Sequence, residues 1–130
     1  VGAAVALEAI KIYDDIDLLG HVQRVARSFL AGCEALMDHP LVGEVRGIGL
    51  FCGIQLVQDK TNRALWDPAL KVGTMVQDRA HERGLYLRSI PPDRISFIPP
   101  LIISEDEVAE ATAILKAALD DVWAEVKGRV

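Results

Sequence analysis

Two proline pairs, Pro91-Pro92 and Pro99-Pro100, bracket a short apolar run within Arg83–Ser104, RGLYLRSIPPDRISFIPPLIIS. Proline has a fixed φ and no N–H for a ladder, so a strand placed there must be short and must end in turns. The stretch reads as two short strands joined by a proline-rich turn, then a stop and a helix cap. Leu85, Tyr86 and Leu87 are strand formers and bring one cation, Arg88, to the end of the first strand. Ile95 and Phe97 alternate with Ser96 and Ile98 on the returning strand. A chain built around this hairpin needs a sheet, and the flanking segments must cover its apolar side.

The preceding run Leu41–Val57 supplies more strand. Leu50, Cys52, Ile54 and Leu56 fall on one face, and Phe51, Gly53, Gln55 and Val57 on the other. The pattern predicts a short strand near Glu44–Arg46, a kink at Gly47 and Gly49, and a longer strand over Leu50–Val57. This Gly-x-Gly opens a strand rather than a helix, so it is not a dinucleotide fingerprint. Gln58 to Trp66 is polar and irregular and reads as a surface loop. Asp67-Pro68 then opens a third helix with Ala69, Val72, Val76 and Ala80 inward and Gln77, Asp78 and Arg79 in water. Gly84 stops it.

The remaining segments are helical. Asp14, Asp15 and Asp17 offer caps for a second helix that runs to about Met37. Its stripe is Leu18, Val22, Val25, Phe29, Cys33 and Leu36, and His39-Pro40 ends it. Ser104 and Glu107 form a capping box for the last helix, whose stripe is Val108, Ala111, Leu115, Ala118, Leu119, Val122 and Val126. Gly128-Arg129-Val130 is expected to fray. This order predicts an α+β two-layer sandwich, a small mainly antiparallel sheet with helices on one face. The other face, carrying Phe51, Val57 and Ile98, is apolar enough to want cover from another domain.

The opening residues, 1–13, form a helix that is apolar almost all round, with only Glu8 and Lys11 charged. Such a helix must be buried on every side. It either leads out of a larger fold, leaving residues 14–130 as a small α+β domain, or it dimerises. A chain of 130 residues with 51% hydrophobic and 25% charged content can hold one core. Its net charge of −5, without a basic stripe, argues against nucleic acid. No stretch is long and apolar enough to span a bilayer, and no basic-then-apolar leader is present. Cys33 and Cys52 each fall on an apolar face and read as buried free thiols, which fits a reducing compartment such as the cytoplasm.

Few residues suggest chemistry. His21, His39 and His81 stand apart from other ligand types, so no metal site is expected. No serine or cysteine sits in a nucleophile motif. Lys11, Lys60, Lys71, Lys116 and Lys127 lie on helices or in a loop, and none ends an apolar strand where burial could lower its pKa. Arg88 remains. Its planar fork can make two parallel hydrogen bonds to one carboxylate. The other role open to it is a surface ion pair with a helix carboxylate.

The segment VGEVRGIGLFCGIQLVQDK, Val42–Lys60, resembles the start of the small C-terminal domain of class III aminotransferases. These are fold-type I, pyridoxal-phosphate-dependent enzymes often called omega-transaminases. Asp67-Pro68 with Val72-Gly73, then Arg83–Arg88, then Pro99–Ile103, match in the family's order, and VGAAVALEAI looks like the helix leaving the large cofactor domain. The resemblance implies amino-group transfer from an amine or amino acid to a keto acid, in an intact homodimer carrying pyridoxal 5'-phosphate. It implies that the Schiff-base lysine and the aspartate on the pyridine nitrogen lie upstream of Val1, in a missing N-terminal large domain. The fragment alone is then expected to bind no cofactor and to be inactive. The position matching Arg88 binds the substrate carboxylate. Many relatives follow it with a Gly-Asp turn, whereas this chain has Ser89-Ile90-Pro91-Pro92-Asp93, a stiffer turn suited to a cis bond. The competing reading is a free-standing α+β module that binds a small acid without catalysis. The apolar first helix suits a fragment and burdens a module.

Overall fold

The computed structural model describes residues 1–129; the expected fraying of Val130 lies outside them. The elements are α1 (Gly2–Asp15), α2 (Leu18–Ala35), β1 (Val42–Ile48), β2 (Phe51–Leu56), α3 (Val72–Glu82), β3 (Arg88–Ile90), β4 (Arg94–Phe97) and α4 (Glu105–Val126). The sheet is antiparallel throughout, in the order β1-β2-β4-β3. Helices α2, α3 and α4 cover one face and the other is open, which is the expected α+β two-layer sandwich.

The core forms where the predicted stripes meet. All seven stripe positions of α4 are buried, and Ser104 and Glu107 close the capping box. Asp17 caps α2 by accepting from the Gly20 N–H, and Leu18, Val25, Phe29, Cys33 and Leu36 are buried below it. From the sheet come Cys52, Ile54, Leu56, Ile95 and Phe97. Phe97 meets Phe29 edge to face, ring centres 5.0 Å apart. Cys33 and Cys52 are both free and buried. The hydrogen bond to Cys52, with burial, pushes the Cys33 thiol well up, and both side chains are packed in the core at 0% exposure.

Several local expectations need correction. The Gly47/Gly49 region is a hairpin turn rather than a kink: β1 runs on to Ile48, which pairs with Phe51, and Gly49 takes φ +57° in the two-residue turn between them. Val57 is buried instead of lying on the open face, because the pairing shifts between Val42 and Glu44 and the bare Gly43 leaves room for its side chain. Trp66 is not a surface-loop residue; it folds back into the core at 2% exposure. Asp67-Pro68 opens a 3-10 turn, Pro68–Leu70, which Lys71 breaks at φ 51° before α3 begins, so Ala69 is exposed. The C-terminal residues Lys127–Arg129 form a 3-10 turn, and the Gln58 side chain donates to the Arg129 carbonyl.

Helix α1 has no buried residue; Val5 is 64% exposed and Leu7 69%. It contacts α2 and contributes no buried residue to the core. No helix among the described residues is long and apolar enough to cross a membrane.

Candidate functional site

The cross-strand register places Arg88. It pairs with Ser96, Ser96 faces Gly53 across β2, and Gly53 faces Arg46 on β1. Directly opposed residues share a face of a sheet, so this row lies on the open side. The next row, Glu44, Gln55, Arg94 and Ile90, lies on the same side. A Cβ on Gly53 would meet nothing nearer than the Arg46 carbonyl at 3.9 Å, and Ser96 is the only side chain between Gly53 and Arg88 in the row. Arg46 is already bound to Glu44 at 2.8 Å. Arg88 is exposed, and none of the ion pairs among the described residues includes it.

The expectation that Leu85–Leu87 is a strand ending in Arg88 is wrong: Arg88 begins β3. The backbone bonds of the preceding residues go to α3 instead of a neighbouring strand. Leu85 N–H donates to the Ala80 carbonyl, and the Leu87 carbonyl is held by His81 Nε2 at 3.1 Å. Leu87 plugs the core, while Tyr86 is exposed and lies flat on the His81 ring, 5.0 Å away.

The turn after Arg88 is fixed from several directions. The Pro91-Pro92 bond is cis. Asp93 is buried at φ 52°, and its Oδ1 accepts from the Gly73 N–H at 2.8 Å. Gln55 donates to the Pro92 carbonyl at 2.9 Å. A Cβ on Gly73 would lie 2.6 Å from Ser89 Oγ, so the first turn of α3 rests directly on the hairpin. Gln77, expected to face water, is half-buried, and its Oε1 accepts from the Ser89 N–H at 2.8 Å. Sequence reasoning missed Gln77 and Asp93. The Asp in a Pro-Pro-Asp turn was a usable signal; nothing local marked Gln77.

The other titratable groups serve the fold. His39 is buried with Nε2 3.3 Å from Asp120, and its Nδ1 accepts from the Leu41 N–H. Burial holds its pKa below the ordinary imidazole value, against the pull of Asp120. His21 Nε2 bonds the Ile103 carbonyl at 2.9 Å. No cluster among the described residues could hold a metal ion. Every lysine is exposed. Lys60 bonds the Met37 and His39 carbonyls, and Lys116 pairs with Asp120.

Comparison with known proteins fits this frame. Residues 1–119 match the family described as aminotransferase class III. The chain belongs to that family. It is 39% identical over 128 residues to the uncharacterized aminotransferase y4uB of Sinorhizobium fredii, covering 97% of this chain and 27% of that protein. It is 35% identical over 119 residues to gamma-aminobutyrate transaminase 1, mitochondrial, of Oryza sativa subsp. indica, covering 92% of this chain and 23% of the relative. Among solved structures, the omega transaminase of Pseudomonas jessenii in complex with PMP superposes at TM-score 0.88 with 36% identity, over 95% of this chain and 27% of the other. A transaminase from directed evolution by ancestral reconstruction superposes at TM-score 0.91 with 41% identity, over 95% and 27%. The chain thus spans about a quarter of the length of the relatives it matches.

Proposed function

We propose that residues 14–130 are the C-terminal small domain of a pyridoxal-phosphate-dependent class III aminotransferase, and that Arg88 binds the substrate carboxylate. The observation that carries this is an arginine on the open face of the sheet that no ion pair among the described residues engages, in a chain of this family. Two parallel N–H donors from its guanidinium would grip one carboxylate and orient the carbon that gains or loses the amino group. The open face is then the side on which the rest of the enzyme closes. Helix α1, bare along its length, leads toward the large domain, and this exposure weighs against a free-standing module.

Pyridoxal 5'-phosphate, when bound, stabilises the carbanion formed during amino-group transfer. The described residues do not fit it. Their lysines are exposed and none is desolvated as a Schiff-base lysine needs to be. The cofactor therefore sits on residues outside this chain, and the chain alone should not catalyse. The intact enzyme is a homodimer that passes an amino group from an amine or amino acid to a keto acid. Its free buried thiols suit the cytoplasm, although the rice relative is named as mitochondrial.

Arg88→Ala in the intact enzyme tests the reading. Half-reactions at single turnover separate acid from amine. Losing a bidentate pair costs roughly 2–4 kcal/mol, or about 30- to 800-fold in kcat/KM for carboxylate substrates. Simple amines should be spared. Equal losses on both would make Arg88 structural.

A further inference from the structure

We infer that Gln77 is a positioning residue for Arg88: by accepting the Ser89 N–H it fixes the β3 backbone and so the origin of the arginine side chain. The inference rests on the carboxylate-binding role proposed for Arg88. Strand β3 has three residues and lies at the sheet edge, with β4 as its only strand partner among the described residues. Its pairing to β4 holds one side of the strand. An edge strand's other side normally offers its N–H groups to water. Here the Ser89 N–H instead meets Gln77 Oε1 at 2.8 Å, from an α3 residue twelve positions earlier. Only the oxygen of a glutamine amide can accept, so the orientation of this group is unambiguous.

Ser89 is the residue next to Arg88. A strand this short, released on one side, can shift or twist without disturbing the core, because the buried residue just before it, Leu87, is anchored separately through His81. A displacement of about 1 Å at a binding group costs on the order of 100-fold in rate. The effect of losing Gln77 should therefore appear in acid binding and leave the fold standing.

The experiment uses the full-length enzyme with its cofactor. Gln77→Leu removes the acceptor at similar bulk, and Gln77→Glu keeps an acceptor oxygen. For Gln77→Leu, KM for a carboxylate substrate should rise roughly tenfold or more while kcat/KM for a simple amine stays within about twofold. Gln77→Glu should recover the acid KM to within about threefold of the parent. Hydrogen exchange of the peptide spanning Arg88–Ile90 should quicken in Gln77→Leu and stay slow in Gln77→Glu. Equal effects on acid and amine, or an unchanged acid KM, would overturn the inference. Arg88→Ala keeps the two claims apart. If it discriminates acid from amine and Gln77→Leu does not, the Gln77 role alone is wrong. If Arg88→Ala does not discriminate, both roles fall.

Discussion

Asp93→Ala should loosen the hairpin that carries Arg88 and cost about 2–5 kcal/mol of stability. The carboxylate is 7% exposed and accepts one backbone hydrogen bond, from Gly73 in the first turn of α3, at 2.8 Å. A hydrogen bond to a charged group contributes about 1.5–3 kcal/mol, and its loss leaves the Gly73 N–H buried without a partner. The negative charge also faces the positive end of the helix, an effect of about 0.3–1 kcal/mol. Alanine adds part of the roughly 1–2 kcal/mol that a left-handed conformation costs a residue with a Cβ, since Asp93 already sits at φ 52°. Asp93→Asn keeps an acceptor oxygen and tolerates that conformation, so it should cost only about 0.5–1 kcal/mol. Urea unfolding followed by tryptophan fluorescence reads both, because Trp66 is buried and Trp123 half-buried. With an m-value of about 2 kcal/mol/M, Asp93→Ala should lower the midpoint by about 1–2.5 M. An alanine variant that unfolds with the parent would refute the reasoning. So would an asparagine variant as damaged as the alanine one, since the acceptor geometry would then not matter.

Acid should destabilise the chain through His39. Burial depresses its folded pKa, so the unfolded chain binds more protons once the pH falls below about 6.5. Its contribution is full above about that value and is lost as pH drops through the lower folded value. Asp120, Lys116 and Lys60 are the charges that bear on it. The drop in urea midpoint between about pH 7.5 and about pH 5.5 should shrink in His39→Gln; an identical drop would discount His39. Separately, Ser104→Ala removes the capping box of α4 and should cost about 1 kcal/mol, or about 4 °C in Tm by differential scanning calorimetry.

Much of this fold was written in short-range pattern. The α4 and α2 stripes, the Ser104 cap and the alternation of Ile95 and Phe97 each depend on residues a few positions apart, and each appears where expected. The misses share another cause. Leu85–Leu87 has strand propensity, but its backbone partners lie in α3. Asp67-Pro68 carries a sound helix-start signal that Lys71 interrupts with a left-handed residue. Val57 and Trp66 are buried by a bulge and a returning loop, neither of which leaves a periodic trace. At the candidate site, the residue type singled out Arg88 for the role proposed for it, while its neighbours Gln77 and Asp93 became visible only when α3 was laid against the hairpin.

That contact between α3 and the hairpin limits what can move around Arg88. Gly73 lets the helix touch the strand without a side chain as cushion, and hydrogen bonds at Ser89 and Asp93 tie down two points of the loop. Helix and hairpin therefore travel as one body. With the backbone under it tied down at Ser89 and Asp93, the freedom left to the Arg88 guanidinium is torsion about its own carbon chain.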